Sequence, residues 1–223
     1  MIRRSISALA LVSILVMPSF AATVDQENPF EGEIKKMEEG DAKSTPAKGG
    51  IVFVGSSSIR MWDTLKTDFP GLNVLNRGFG GSQISDSVHY ADRIVTKYEP
   101  KMVVFFAGTN DLASGKTPET VLSDYKAFVG KVRAKLPEVP IAFLSITPAP
   151  SRWNNLQNVI KANTLVHEYS KSEKNLQFVN VFFKMLTETA APRPELFLDD
   201  QLHMKRAGYE IWVDAVRPIL PKE

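Results

Sequence analysis

The sequence predicts an α/β domain built on a mostly parallel β-sheet with helices on both faces. Five short apolar runs rich in β-branched and aromatic residues punctuate the chain, as is typical of strands buried on both faces. Between them, apolar residues recur three or four positions apart, which is the spacing of amphipathic helices. Such alternation favours a sheet joined by right-handed crossovers. The predicted strands are residues 51–55, 72–75, 102–106, 140–144 and 176–181.

The first residues have the features of a secretory signal peptide. Arg3 and Arg4 precede an apolar stretch over residues 8–17, and Ser19-Phe20-Ala21 is a small-x-small cleavage site. The apolar part is too short to span a bilayer comfortably. We therefore expect a signal peptide over residues 1–21, an N-terminal helix and loop over residues 22–49, and the main domain over residues 50–223. The protein is expected to be exported, to the periplasm or outside the cell.

Composition limits the possible partners. The 223 residues carry 27 Lys and Arg against 25 Asp and Glu, a formal net charge of +2. Removing residues 1–21 takes away two arginines and no acidic residue, so the mature chain is neutral. We therefore expect no nucleic acid partner, and no integral membrane association after cleavage. The chain contains no cysteine, which excludes disulfides and thiolate metal sites.

The first half of the chain contains residues that predict where helices begin and end and where turns occur. Asn28-Pro29 starts a helix that ends near Gly40, and the turn-forming residues 41–50 lead into the first strand. Two further helices are predicted, one after the serines that follow the first strand and one after the second strand. The apolar positions on the three helices are Phe30, Ile34 and Met37; Ile59, Trp62 and Leu65; and Ile84, Val88, Ala91 and Val95.

The second half continues the alternation. Thr117-Pro118 opens a helix with one wide apolar face, residues 147–154 form a loop after the fourth strand, and residues 187–201 are a long irregular segment. The apolar positions of the last three helices are Val121, Leu122, Tyr125, Phe128, Val129 and Val132; Leu156, Val159, Ile160 and Val166; and Ala207, Ile211, Trp212, Ala215 and Val216.

Three consecutive serines, Ser56 to Ser58, stand between the first strand and its helix. A hydroxyl at such a junction is exposed at the carboxyl end of the sheet beside the free N–H groups of a helix start, which suits a nucleophile. Serine is also a good helix N-cap, and the strict G-x-S-x-G elbow is absent. This stretch alone leaves both interpretations open.

A glycine-rich segment, residues 76–82, follows the second strand. Its glycines indicate positive φ angles or close approach of the backbone to another group. It is not a dinucleotide fingerprint, because Gln83 stands where G-x-G-x-x-G needs a glycine, and Gly115-Lys116-Thr117 is not a P-loop, because Asn110 stands where its first glycine belongs. No nucleotide cofactor is expected. Since parallel sheets bind ligands at the carboxyl ends of their strands, the serines and this segment should share one rim.

One of the three histidines suits a catalytic base. His89 and His167 lie within predicted helices, away from strand ends, and are expected to be surface or packing residues. His203 follows the long irregular segment, with Asp200 three residues before it. A carboxylate at that spacing can fold back onto the imidazole and hold its far nitrogen for proton transfer. Taken alone, the D-x-x-H pattern is a weak signal and is more typical of a surface pair.

Two residues on the same rim are candidate donors to an oxyanion. Asn110 follows the third strand in Gly108-Thr109-Asn110-Asp111, which is also ordinary turn and capping chemistry. Its side-chain amide could donate to a developing negative charge. Gly81 could add a backbone N–H, since its missing side chain would let a substrate carbonyl come close.

Taken together and in order, these blocks resemble the SGNH, or GDSL-like, hydrolases, in their platelet-activating-factor acetylhydrolase-like branch. The matching blocks are Gly55-Ser56-Ser57, Asn76 to Gly81, Gly108 to Asp111, and Asp200 to His203 with Gly208-Tyr209 after it. The resemblance implies a flavodoxin-like three-layer α/β/α sandwich with a five-stranded parallel sheet, and ester hydrolysis with no cofactor and no metal.

The same resemblance implies roles for individual residues. Ser57 would be the nucleophile, Asp200 and His203 would complete a triad, and Gly81 and Asn110 would be oxyanion donors together with the Ser57 N–H. One position departs from the family pattern, because Ser56 replaces the usual aspartate before the nucleophile. The assignment of Ser57 therefore depends on its distance from Gly55, and Ser56 and Ser58 remain alternatives.

The substrate is inferred less directly. The chain lacks a strongly apolar lid-like segment, so we expect short acyl or acetyl groups, including those on carbohydrates, in preference to long-chain lipids. Arg60, Arg152 and Trp153 are candidates for the acceptor side, where Arg152 could meet a carboxylate and Trp153 could stack on a sugar. The alternatives are surface packing for these three residues, and a lysophospholipase, an arylesterase or a non-catalytic acyl-glycan binding module for the protein.

Overall fold

The computed structural model describes residues 28–221, so the predicted signal peptide lies outside the described residues. The strands are β1 (Ile51–Gly55), β2 (Val74–Gly78), β3 (Met102–Phe106), β4 (Ile141–Leu144) and β5 (Leu176–Val179). The helices are α1 (Glu31–Lys43), α2 (Ser57–Arg60), α3 (Leu65–Asp68), α4 (Ile84–Ile94), α5 (Thr109–Ala113), α6 (Pro118–Arg133), α7 (Leu156–Ser172) and α8 (Arg206–Val216). Within this range no helix is both long and apolar enough to cross a membrane.

The five strands form one parallel sheet in the order β2-β1-β3-β4-β5, which confirms the predicted α/β architecture. Their register brings the carboxyl ends of the central strands level: Gly55 pairs with Gly78 of β2 on one side and with Phe106 of β3 on the other. The serines, the glycine-rich segment and the residues after β3 therefore leave the sheet side by side.

Helices cover both faces of the sheet, so the domain has three layers. Alternate residues of each strand point to opposite faces: in β1, Val52 and Val54 join the core under α1, α4, α6 and α7. Ile51 and Phe53 join the second core, under α2, α3 and α8. Both faces of the strand are fully buried, which explains its uninterrupted apolar sequence.

The second strand differs from its prediction, because it spans Val74–Gly78 and not residues 72–75. The polar residues Asn76 and Arg77 belong to the strand, whereas the sequence pattern placed them in the glycine-rich segment after it. β2 lies at the edge of the sheet, where polar side chains are tolerated. Asn76 donates to the carbonyl of Ile59 at 2.6 Å, and Arg77 is half of an ion pair with Asp41 of α1.

The segment after the serines also departs from the predicted single helix. Ile59, Trp62 and Leu65 are all buried in one core, as their spacing predicts. Ile59 lies on α2 and Leu65 on α3, and Trp62 lies in the break between these two short helices. An i, i+3, i+6 pattern fits both arrangements, because either places the three side chains on one face. The break lies where Trp62 and Thr64 turn towards the carboxylate of Asp68.

The remaining boundary errors are small. The N-terminal helix begins at Glu31, after a turn in which the Asn28 side chain accepts the N–H of Phe30, and it continues past Gly40 to Lys43. The predicted loop after β4 contains a 3₁₀ turn, Pro150–Asn155. Shorter 3₁₀ turns occur at Thr96–Tyr98, Phe183–Met185, Pro194–Leu196 and Arg217–Ile219.

A buried carboxylate joins the beginning of the domain to its end. The side chain of Asp68 is only 6% exposed, and it accepts hydrogen bonds from the Trp62 indole and the Thr64 hydroxyl, both at 2.7 Å. The guanidinium of Arg206, at the start of α8, binds both of its oxygens at 2.7 and 2.8 Å. Burial alone would raise the pKa of Asp68, but these donors outweigh it and lower the pKa.

We expect Asp68→Asn to destabilise the fold, because an amide would turn N–H groups towards donors that now bind a carboxylate. The loss in free energy of unfolding should be about 2 kcal/mol, below the usual cost of breaking a buried pair because Arg206 is half-exposed. Chemical denaturation at neutral pH measures it. Glu210→Gln is the control: Glu210 contacts the same guanidinium at 3.4 Å but lies on the surface, so its loss should be within about 0.5 kcal/mol.

The same pair of proteins gives a pH test. Because the folded pKa of Asp68 is lowered, its stabilisation is complete above the ordinary carboxyl pKa and is lost as the pH falls through the folded value. The stability difference between wild type and Asp68→Asn should therefore shrink in acid. Equal stability at neutral pH, or a difference that persists in acid, would contradict this account of Asp68.

Candidate active site

Three loops meet at the carboxyl edge of the sheet and are joined there by backbone hydrogen bonds. The Ser56 N–H donates to the carbonyl of Phe106 at 3.0 Å, and the Phe79 N–H donates to the carbonyl of Gly55 at 3.0 Å. Gly55 has a φ of +144°, and a Cβ on it would lie 1.8 Å from the Phe106 oxygen. Only glycine allows the chain to leave β1 in this direction.

The structure brings Ser57, His203 and Asp200 into one hydrogen-bonded chain. The Nε2 atom of His203 lies 2.8 Å from the Oγ of Ser57, although the two residues are 146 positions apart. On the other side of the ring, Nδ1 lies 2.6 Å from the Oδ2 of Asp200. A hydroxyl, an imidazole and a carboxylate are thus in contact, in the order that proton transfer from a hydroxyl requires.

The loop that carries Asp200 and His203 is closed on itself. An antiparallel bridge pairs Phe197 with Met204, and the Leu198 N–H donates to the carbonyl of His203 at 2.7 Å. Gln201 turns the chain with a φ of +53°. The carboxylate of Asp200 then accepts the N–H groups of Leu202 and His203 through Oδ1, at 2.9 and 3.0 Å, which leaves Oδ2 for the imidazole.

These donors keep Asp200 ionised. Partial burial alone would raise the pKa of Asp200, but hydrogen bonds from the His203 side chain and from two backbone N–H groups lower it to about 2. The side chain remains 47% exposed. Asp200 is therefore a charged acceptor at any ordinary pH, and it favours the tautomer of His203 that has its proton on Nδ1.

The serine turn is fixed from two sides. Gly78 packs against this turn so closely that a Cβ on it would lie 2.2 Å from the backbone nitrogen of Arg60. The Tyr209 hydroxyl, from α8, donates to the carbonyl of Ser58 at 2.9 Å. Ser57 is half-buried and its hydroxyl faces His203, whereas Ser56 and Ser58 are buried. Of the three serines considered from the sequence, Ser57 is the one in contact with the imidazole.

Asn110 and Gly81 follow β3 and β2, the two strands that flank β1 in the sheet. The Nδ2 of Asn110 donates one hydrogen to the carbonyl of Ser82 at 3.0 Å, which ties α5 to the glycine-rich loop and leaves the second amide hydrogen free to bind a ligand. Gly81 has a φ of +75°, and a Cβ on it would meet no atom within 4 Å. The backbone angle, and not lack of room, favours glycine here. Ser57 is the first residue of α2, so its N–H has no partner within the helix.

A buried ion pair supports the Asn110 side of the site, and the sequence analysis missed it. Asp111 is fully buried; its carboxylate accepts the Ile84 N–H at 3.2 Å and lies 3.0 Å from the Lys116 ammonium. Burial raises the pKa of Asp111, and Lys116 opposes that rise. Because Ile84 begins α4, the pair connects α5 to the end of the glycine-rich loop. The available signal was an acidic residue next to Asn110 and a lysine five residues later.

The three predicted substrate-binding residues fall into two groups. Arg60 lies over Gly80 and its guanidinium faces Glu33 of α1 at 3.5 Å. Arg152 and Trp153 are half-buried on the turn after β4. That turn adjoins the histidine loop, because the N–H and hydroxyl of Ser151 both donate to the carbonyl of Gln201 at 3.0 Å.

The other two histidines lie away from the site, as expected. His89 is exposed on α4 with its ring against Tyr90, and His167 is exposed on α7 with its ring against Phe178. An apolar cavity of about 420 Å³ opens between α7 and β5, lined by residues that include His167, Phe178 and Phe183. Neither Ser57 nor His203 is among its lining residues.

Comparisons with known proteins agree with this geometry. The GDSL-like Lipase/Acylhydrolase family matches residues 51–211, which hold every block described above. No curated protein matches the sequence. Among solved structures, a Streptococcus pneumonia protein provisionally named a platelet activating factor aligns with a TM-score of 0.75 and 20% identity, over 85% of this chain and 92% of that chain.

Two further structures have the same fold. A GDSL-like lipase from Bacteroides thetaiotaomicron aligns with a TM-score of 0.72 and 22% identity, over 83% of this chain and 96% of that chain. A carbohydrate esterase of family 3 from Talaromyces cellulolyticus aligns with a TM-score of 0.61 and 16% identity, over 77% of this chain and 95% of that chain. With the family match covering most of its length, the chain belongs to the GDSL-like lipase/acylhydrolase family and is an acylhydrolase of the SGNH type.

Proposed function

We propose that the protein is an exported serine esterase that removes short acyl groups, above all acetyl groups, from alcohols that include carbohydrates. The observation that carries the proposal is the contact between His203 Nε2 and Ser57 Oγ at 2.8 Å, with Asp200 on the opposite side of the imidazole. A binding protein would not need this ordered chain of hydroxyl, base and carboxylate.

The reaction follows from the positions of these atoms. Ser57 Oγ attacks the ester carbonyl carbon as His203 Nε2 takes its proton, and the carbonyl oxygen becomes an oxyanion. The N–H groups of Ser57 and Gly81 and the amide of Asn110 donate to that oxygen. Collapse breaks the bond to the alcohol, which leaves with the proton from His203. Water then attacks the acyl-enzyme by the same route and releases the acid.

The surroundings of Ser57 favour a small acyl group. Asp200, beside His203, is half-exposed, so this side of the site is open to solvent. The apolar cavity that could hold a long acyl chain lies between α7 and β5, and neither Ser57 nor His203 lines it. Arg152 and Trp153 adjoin the histidine loop and would contact the alcohol. Similarity to a carbohydrate esterase supports a sugar as that alcohol.

The experiment is hydrolysis of p-nitrophenyl esters from acetate to palmitate, beside a panel of acetylated sugars, with Ser57→Ala as the comparison. We expect the highest kcat/KM for acetate and activity on at least one acetylated sugar. Ser57→Ala should abolish turnover and labelling by a fluorophosphonate, whereas Ser58→Ala should retain most of both. A preference for palmitate would favour a lipase, and a wild-type protein that does not label would be a binding module.

Asn110→Ala should lower kcat by roughly 10² to 10³, the usual loss for one oxyanion donor, because the amide contributes most when charge develops on the oxygen. Steady-state kinetics on an acetate ester measure this, and circular dichroism checks the fold. Asn73→Ala removes the same side chain from an exposed position before β2, at the opposite edge of the sheet, and should leave kcat unchanged. Near wild-type turnover by Asn110→Ala would exclude Asn110 from the oxyanion site.

Export is part of the proposal and has its own test. Arg3, Arg4, the apolar stretch and Ser19-Phe20-Ala21 support cleavage after Ala21. The full-length chain expressed in a Gram-negative host should therefore appear outside the cytoplasm with Ala22 as its first residue, as measured by intact-mass spectrometry of cell fractions. A cytoplasmic protein that retains residues 1–21 would rule out the leader.

A further inference from the structure

The N-terminal helix α1 and the residue before it, Phe30, lie outside the segment that matches the family, yet they contact the glycine-rich loop at two consecutive residues. The ring of Phe30 packs edge-on against that of Phe79, with centroids 5.3 Å apart. The carboxylate of Glu33 accepts the N–H of Gly80, with N–O distances of 3.2 and 3.3 Å. Gly81, whose N–H is a proposed oxyanion donor, is the next residue.

The Gly80 peptide is held from a second side by Arg60. A Cβ on Gly80 would lie 2.7 to 2.8 Å from the guanidinium atoms of Arg60, so the planar group lies directly over this glycine. The same guanidinium is 3.5 Å from Glu33. Gly80 is thus enclosed by an ion pair whose two members come from α1 and from the end of the serine turn.

We infer that Glu33 is a positioning residue for the oxyanion site. By accepting the Gly80 N–H, its carboxylate fixes the plane of the Phe79–Gly80 peptide. The Arg60 guanidinium over the Gly80 Cα limits the backbone rotation between that plane and the Gly81 N–H, so the two side chains together set the direction of the Gly81 N–H. Arg60 is the counter-charge that keeps the carboxylate in place, which gives that arginine a role other than substrate binding. The inference rests on the proposed function, because it matters only if the Gly81 N–H meets an oxyanion.

Glu33 is held near this position by other contacts of α1. Glu31 and Glu38 both bind Arg93 of α4, at 2.7 and 2.6 Å, and Asp41 pairs with Arg77 of β2. These ion pairs attach the helix to the domain without contacting Gly80 or Gly81. The attachment of α1 to the domain therefore does not depend on Glu33 alone. Glu38 is a matched control, because the side chains of Glu33 and Glu38 are 36% and 35% exposed.

The test separates the effect of side-chain length at residue 33 from the effect of its charge. Glu33→Asp keeps the charge but withdraws the carboxylate by about 1.5 Å, one carbon–carbon bond, beyond hydrogen-bond distance of Gly80. Glu33→Gln loses the charge but keeps an oxygen that can accept the Gly80 N–H. We expect Glu33→Asp to lower kcat on an acetate ester about fivefold to tenfold, with KM within about twofold, because the oxyanion forms only in the transition state.

Glu33→Gln should retain at least half of the wild-type kcat, and Glu38→Asp should match the wild type. Three results would overturn the inference: wild-type kcat in Glu33→Asp, an equal loss in Glu33→Gln, or an equal loss in Glu38→Asp. All variants replace half-exposed side chains of α1, and their melting temperatures should stay close to that of the wild type. If Ser57→Ala is inactive while Glu33→Asp is fully active, the inference fails and the proposed function stands; if Ser57→Ala stays active, the proposed function fails.

Discussion

The contact between Ser57 and His203 depends on keeping two distant parts of the chain in register. The carboxylate of Asp68 does much of this, because it binds Trp62 and Thr64 after the serine turn and Arg206 three residues beyond His203. Tyr209 adds a second link to the serine turn. Both links end in α8, so this one helix sets the height of the histidine above the sheet. A shift of α8 by an ångström would move the imidazole by a similar distance and weaken its hydrogen bond to the hydroxyl.

The parallel sheet supplies the other half of the arrangement. Because β2, β1 and β3 end at the same level, three loops with unrelated sequences emerge within hydrogen-bond distance of one another. Glycines at the strand ends then permit approaches that a Cβ would block, at Gly55 against Phe106 and at Gly78 against the serine turn. The site therefore needs little from the loops beyond one functional group each, since the sheet determines where they meet.

Most of this could be predicted because strand ends in an α/β protein carry both the strongest hydrophobic signal and the functional residues. The five buried strands, the functional edge of the sheet at their carboxyl ends and the D-x-x-H loop can all be predicted from local sequence patterns. The edge strand was misplaced because Asn76 and Arg77 are polar, and their partners Ile59 and Asp41 are distant in sequence. Asp68 and Glu33 were missed for the same reason: each looks like an ordinary surface acid until the fold supplies an arginine or a backbone N–H.

The two sides of the site differ in how firmly they are supported. Asp68 and Asp111 lie behind the serine turn and Asn110, where low exposure strengthens each hydrogen bond and makes its loss costly. The backbone at Gly80 is instead supported by Glu33, which accepts the Gly80 N–H, and by Arg60, a pair on a half-exposed surface where water competes and each contact is worth less. The nucleophile and the base are therefore held rigidly, while the oxyanion loop is the more adjustable part. In the proposed function, the Gly81 N–H is therefore the donor that can shift with the acyl group, while Asn110 and the proton path between Ser57 and His203 stay in place.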